Sequence, residues 1–377
     1  MKRCIIIPDS YKGTMSAMEF CRLGREAVLR RFPACEVLCI PVADGGEGTV
    51  DCFAEALGAQ RFSVSSAGPW GERTEAQYAR SGDTAFVEMA QNAGLPMVGD
   101  RKDPGQTTTY GVGEVIRAAV KAGCGHIVLG LGGSCTNDAG TGAACALGAR
   151  FYRADGETFL PTGDTLGDIA SYDTATVREL LDGCRITAMC NIDNVMYGPQ
   201  GAAAVFAPQK GADGRQVERL DAGLRSLGRL MERQSGRDIA HMPGSGAAGA
   251  FGAGVAAFLG GELRSGIETV LDCVGFDHLL EGTDMVFTGE GCIDGQSLRG
   301  KVVSGVARRA KARGVPVTVV AGAVGDGAEG AYELGVSGMF SINRRAEDFS
   351  VSKFKTKENF SAAMDAILGL LAAWEQR

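Results

Sequence analysis

A strand–helix alternation opens this chain, stops near residue 62 and returns near residue 280, and that interruption limits the folds open to it. Residues 4–7 read as a short apolar strand, 8–13 as a loop, and Ser16 as the cap of a helix with apolar positions at Phe20, Leu23, Ala27 and Leu29. Residues 36–42 read as a second strand, and Asp44-Gly45-Gly46-Glu47-Gly48 as a loop opening a helix that ends near Gly58. Alternation of this kind predicts a parallel sheet. The pattern then changes to short strands at 62–66, 74–80 and 84–89, joined by glycine turns and antiparallel in character. A helix at 111–122, a strand at 126–131, a helix from about Asp138, a strand at 185–190 and a strongly periodic helix at 215–233 follow. Strands at 285–289, 315–321 and 338–342 and helices at 302–313 and 361–376 restore the alternation. The expected architecture is α/β in two domains. A Rossmann-like parallel-sheet domain would form from both chain ends, 1–62 plus 281–377, and 63–280 would be an inserted mixed α/β domain. A cleft between two such domains is the expected place for a small-molecule site.

Glycine is the compositional outlier, 56 of 377 residues, about twice the usual share. With 11 prolines and no low-complexity repeat, these glycines serve tight turns and close backbone approach. The formal charge is -7. The basic groups Arg308, Arg309, Lys311, Arg313 and Lys353, Lys355, Lys357 are too local for a nucleic-acid stripe and read as solvated faces. Residues 243–261 are uncharged but mostly Gly and Ala, which suits a close-packed helix and is too weak for a membrane span. Twelve cysteines without zinc spacing, several inside apolar segments, and no secretory signal predict a reducing, cytoplasmic setting.

Several loops follow short apolar strands and open helices, where free N–H groups and the helix dipole favour anions. Asp9-Ser10-Tyr11-Lys12-Gly13 offers a carboxylate, a hydroxyl and a cation, and Asp44 to Gly48 two carboxylates and three flexible amides. Gly130 to Gly140 is the richest loop, and Thr288-Gly289-Glu290-Gly291 runs on to Asp294 and Ser297. Any one of them reads first as an ordinary capped turn; four together tilt towards a phosphate-rich ligand. Standard nucleotide motifs fit badly. Gly295 to Lys301 matches GxxxxGK, but Val302 stands where Ser or Thr would hold Mg²⁺. Gly244 to Gly249 matches GxGxxG without a preceding strand. His126, His241 and His278 suit structural roles, and no G-x-S-x-G or HExxH occurs. Carboxylates, lysines and backbone amides remain, and phosphoryl transfer can be run with those parts.

In order along the chain, Pro8 to Gly13, Ala43 to Thr49, Glu88-Met89-Ala90, Thr107 to Gly111, Gly132 to Gly142, Phe206 to Ala212, and Thr288 to Gly291 with Gly300-Lys301 resemble the bacterial glycerate kinase family nearly end to end. The resemblance implies an ATP-dependent kinase acting on D-glycerate, most readily at the 2-hydroxyl, with Mg²⁺ and two α/β domains. The sequence departs from the family pattern at Asn191, where a second Asp precedes Asp193, at Val195 and Val303, where Pro is usual, and at Cys292, where Arg is usual. Alternatives are phosphorylation at the 3-hydroxyl, a dinucleotide-dependent hydroxy-acid dehydrogenase, and a non-catalytic sugar-acid binder. The expected partners are D-glycerate and ATP, without nucleic acid or membrane; the oligomeric state is open.

Glycerate needs a cation or amides for its carboxylate and a base for the attacking hydroxyl. Asp44 is the first candidate base, Glu290 the second, with Lys12 beside them as a catalytic cation. Asp9, Ser10, Gly45 and Gly46 are candidate substrate contacts. Gly132, Gly133, Ser134, Thr136, Asn137, Lys210 and Lys301 are candidates for the nucleotide phosphates, and Asp193 and Asp294 for Mg²⁺.

Overall fold

The computed structural model describes residues 1–43, 45–295, 297–298 and 300–375. The chain forms two compact units, one from Met1–Asp44, Glu55–Leu57 and Ile267–Arg377, the other from Gly45–Ala54 and Gly58–Gly266.

The first unit is built on a five-stranded parallel sheet. Its strands lie in the order Val336–Ser341, Val317–Ala321, Met285–Thr288, Arg3–Ile6, Glu36–Cys39. The two chain ends therefore share one sheet. Cys4, Ile5, Ile6, Val286, Phe287, Val317, Val319 and Val320 are all fully buried. Such strands, covered on both faces, read as unbroken apolar runs rather than alternating ones. The helix Ala17–Arg31 starts at a capping box, Ser16 with Glu19. It packs Phe20 on Phe360 of the closing helix Thr356–Glu375, ring centroids 4.4 Å apart. That last helix begins five residues earlier than its apolar pattern predicts, because the segment 353–355 forms a single 3₁₀ turn leading into it.

The second unit carries a six-stranded mixed sheet in the order Glu262–Arg264, Arg185–Met189, His126–Gly130, Thr84–Glu88, Arg73–Ser81, Gln60–Ala67. The first four run parallel, and the last two are added antiparallel. The long helix Gly214–Ser235 is capped by Asp213, which accepts from Gln216 N at 2.8 Å, and buries Leu220, Leu224, Leu227, Leu230 and Met231. Each such leucine contributes about 2 kcal/mol. No helix among the described residues is long and apolar enough to cross a membrane.

Several details differ from expectation. The compact units change over at 44/45, 54/55, 57/58 and 266/267, while the expected domain boundaries lie at 62/63 and 280/281. Phe53, on the helix Thr49–Leu57, stacks on Phe86 at 4.0 Å, which draws most of that helix into the second unit. The helix Gly266–Cys273 packs Ile267 against Gly305 in the first unit. There Arg309, read from sequence as part of a solvated face, is only 16% exposed and pairs with Glu268, Asp272 and Asp277. The helix expected from Asp138 spans Thr141–Leu147, because Ala139 and Gly140 are left-handed, with φ 53° and 73°. The uncharged segment near 250 is a buried helix, Ala247–Phe258, interrupted by left-handed Ala248, Gly249 and Ala250.

Candidate active site

In the second unit the glycine loops gather at the carboxyl ends of the parallel strands, where ligands of α/β sheets bind. Glu88 and Gly130 are paired at the ends of neighbouring strands. Gly132 N donates to Gly45 O at 2.8 Å. A side chain at Gly132 would place its Cβ 2.6 Å from Gly46 Cα, so only glycine lets the two loops lie this close.

The loop that follows is held by two buried charges. Asp138 is fully buried and accepts from Thr109 N and Oγ1, both at 2.8 Å, from Gly140 N at 3.1 Å and from Gly142 N at 3.3 Å. Burial pushes its carboxyl pKa up, and these four donors oppose the shift. Lys210 is 3% exposed. Its ammonium donates to Ser134 Oγ at 2.8 Å and to Thr136 O at 2.7 Å. Burial brings its pKa down to about 8, with Cys135 and Asp138 pulling the other way.

Of the residues expected to meet nucleotide phosphates here, only Gly132 and Gly133 reach solvent. Ser134, Thr136 and Asn137 are buried, and Thr136 Oγ1 and both amide atoms of Asn137 have no hydrogen-bond partner. Lys210 is enclosed by the loop's own acceptors and so holds the loop. Asp193 is exposed in the turn after the strand Arg185–Met189. Asn191 accepts from Gly266 N at 2.8 Å, which gives that departure from the family pattern a helix-start role.

In the first unit Tyr11 is buried and donates to Val320 O at 2.7 Å. Its backbone closes on Met15, which pins the Asp9 to Met15 turn and leaves Lys12 exposed. Asp9 Oδ1 accepts from Ser10 N at 2.7 Å, and both residues are half-buried. Glu290 follows the strand Met285–Thr288. A Cβ at Gly289 would collide with Val320 O, so glycine there lets this turn lie against the neighbouring strand.

Glu290 is buried, and its Oε2 accepts from Ser297 Oγ at 3.1 Å and Lys301 Nζ at 3.2 Å. Its Oε1 is buried without a partner among the described residues. Burial raises its pKa, Lys301 and Ser297 oppose the rise, and Asp294 adds to it. Lys301 is 43% exposed and sits at the start of the helix Val302–Ala312. Asp294 Oδ1 accepts from Ser297 N at 3.0 Å.

The first unit thus brings Glu290, Asp294 and Lys301 together. Asp294 and Asp193, both expected at Mg²⁺, fall in different units. Asp44 lies outside the described residues, as do Gln296 and Arg299 of the GxxxxGK match. Three residues carry structure that the sequence reading left without a role: Ser297, which bridges Glu290 and Asp294; Asp138; and Glu88. A lone carboxylate ending an apolar strand was the available signal for Glu88.

A model of the glycerate kinase family matches residues 4–372. A glycerate kinase of Bacillus cereus is 43% identical over 343 residues, 90% of each chain. The glycerate 2-kinase of Escherichia coli is 39% identical over 344 residues, again 90% of each chain. A crystal structure assigned to glycerate kinase 2 of Salmonella typhimurium LT2 superposes with a TM-score of 0.88 at 38% identity, over the whole of both chains.

Proposed function

The chain belongs to the glycerate kinase family, and from that premise we propose that this kinase transfers the γ-phosphoryl group of ATP to the 2-hydroxyl of D-glycerate. The observation that carries the reading is Glu290: a buried carboxylate with one oxygen unpartnered and the other held by Ser297 and Lys301. The glycerate oxygen bonds to the γ-phosphorus, the bond to the bridging oxygen breaks, and ADP leaves with that electron pair. The hydroxyl proton passes to a carboxylate, for which Glu290 is the described candidate and Asp44 the other. A pKa raised by burial brings Glu290 closer to working pH, where a general base is most effective.

Lys301 places positive charge beside the reacting oxygens. Lys12, Asp9 and Ser10 in the first unit and the Gly45 and Gly46 amides in the second are each candidates to contact glycerate, and the Gly132 and Gly133 amides are candidates to contact the ATP phosphates. Lys210 supports the latter loop by holding Ser134 and Thr136.

Among the described residues no three carboxylate, histidine or cysteine groups are arranged to hold a metal. That donor set suits Mg²⁺, which usually takes one or two protein carboxylates and otherwise phosphate and water. Asp294, beside Glu290 in the same turn, would hold it, leaving Glu290 to take the proton. Bound there, it would neutralise charge on the ATP phosphates.

The test is a ³¹P NMR time course with ATP, D-glycerate and Mg²⁺. The expected product is 2-phosphoglycerate. A 3-phosphoglycerate signal would replace the regiochemistry, and unconsumed ATP in the presence of glycerate would overturn the substrate.

A further inference from the structure

The helix Thr49–Leu57 has no cap of its own. Its N-cap is Gly48, held at φ 87° and lacking any side chain to satisfy the first-turn N–H groups. The missing acceptor comes from a distant strand. Glu88, 3% exposed at the end of Thr84–Glu88, accepts from Val50 N at 3.2 Å through Oε2. A negative charge at a helix N-terminus is favourable on dipole grounds as well.

The other end of the same loop is tied by Gly132 N to Gly45 O at 2.8 Å. Between these two ties lie Gly45 and Gly46. Thr49 Oγ1, in the first helical turn, reaches back into the loop and donates to Gly46 O at 2.6 Å. A flexible double glycine is therefore clamped from both sides, and one of the clamps is a buried carboxylate with no other evident use.

We propose that Glu88 is a positioning residue for glycerate phosphorylation: it anchors the start of the helix Thr49–Leu57 and so sets where the Gly45 and Gly46 amides stand. This rests on the reading that those amides contact glycerate. Glu88 itself touches neither substrate nor reacting atoms. Its loss should therefore act on glycerate more than on ATP, and a displacement of about 1 Å in such a loop costs about 10²-fold in rate. A carboxamide can still accept one N–H, so glutamine should restore part of the loss that alanine causes.

The experiment measures kcat and both KM values for wild type, Glu88→Ala and Glu88→Gln. Amide hydrogen exchange is read across 48–52 and, as a control, across the helix Tyr110–Lys121. The expected result is that kcat/KM for glycerate falls by about 10²-fold in Glu88→Ala and less in Glu88→Gln, with KM for ATP within about 2-fold. Faster exchange should be confined to 48–52. Unchanged glycerate kinetics in both variants would overturn the proposal. So would equal losses for glycerate and ATP with exchange accelerated throughout the unit, since Glu88 would then be a general stability residue. If wild type fails to phosphorylate glycerate, the proposed function falls; the exchange data would still decide whether the anchor exists.

Discussion

The loop from Gly132 to Gly142 and the turn from Glu290 to Lys301 carry similar residue types and use them in opposite ways. In the first, the charges are buried. Asp138 is wrapped by four donors, and Lys210 is enclosed with neutral acceptors. These charges shape backbone. In the second, Lys301 is 43% exposed, and Glu290 keeps an oxygen without a partner. These charges remain available for chemistry. A lysine beside a glycine-rich loop is thus not one thing. Its solvent exposure and the nature of its acceptors separate a loop-builder from a group that can meet substrate.

Four changes would break or sharpen that contrast, and Glu290→Gln should have the largest effect. We expect kcat to fall by at least about 10²-fold, the lower end for loss of a general base, with a melting curve close to wild type. In the wild type, kcat should be lost as pH falls through the raised pKa of Glu290, and so at a higher pH than an ordinary carboxylate would dictate. Wild-type-like turnover in the glutamine variant would transfer the role to Asp44 and undo the contrast.

Lys210→Met should act the other way, through stability. It strips Ser134 and Thr136 of a buried donor, at about 1–3 kcal/mol, visible as a lower denaturation midpoint. The folded pKa of about 8 lies below the ordinary 10.5. Between these values the unfolded chain holds more protons, so wild-type stability should rise with pH across that window. The methionine variant should lose this rise. A variant that keeps it would show that another group titrates there.

Lys301→Met should lower kcat/KM by about tenfold, the scale of about 1.4 kcal/mol expected when a partly solvated charge is removed, and leave the midpoint nearly unchanged. A large stability loss in its place would put Lys301 in the same class as Lys210. The smallest effect is expected from Asn191→Asp. Either side chain can accept from Gly266 N, and stability should move by no more than about 0.5 kcal/mol. A clear gain in Mg²⁺ dependence from that change would instead give position 191 a part in metal binding.

Much of the fold was legible because it rests on local and periodic signals. The unbroken apolar runs at 4–7 and 285–287 marked strands buried on both faces, and the spacing of Leu220, Leu224 and Leu227 marked a one-sided helix. The return of strand–helix alternation after residue 280 was enough to place both chain ends in one sheet. The ordered loops pointed to the family because their glycines, carboxylates and lysines stand at set places along the whole chain.

What the linear order could not supply was the partner of each polar group. Lys210 and Lys301 look alike as letters; one meets Ser134 and Thr136 in the core, and the other reaches Glu290 near solvent. Glu88 became the cap of a helix 38 residues earlier, and Arg309 the centre of three carboxylates, only when distant segments packed together. Apolar periodicity is a property of neighbours in sequence, and the sequence alone determined it here, along with fold class and family. Burial and hydrogen-bond partnership depend on which segments meet, and the tertiary structure alone decided them: a buried charge must find its acceptors wherever the fold brings them.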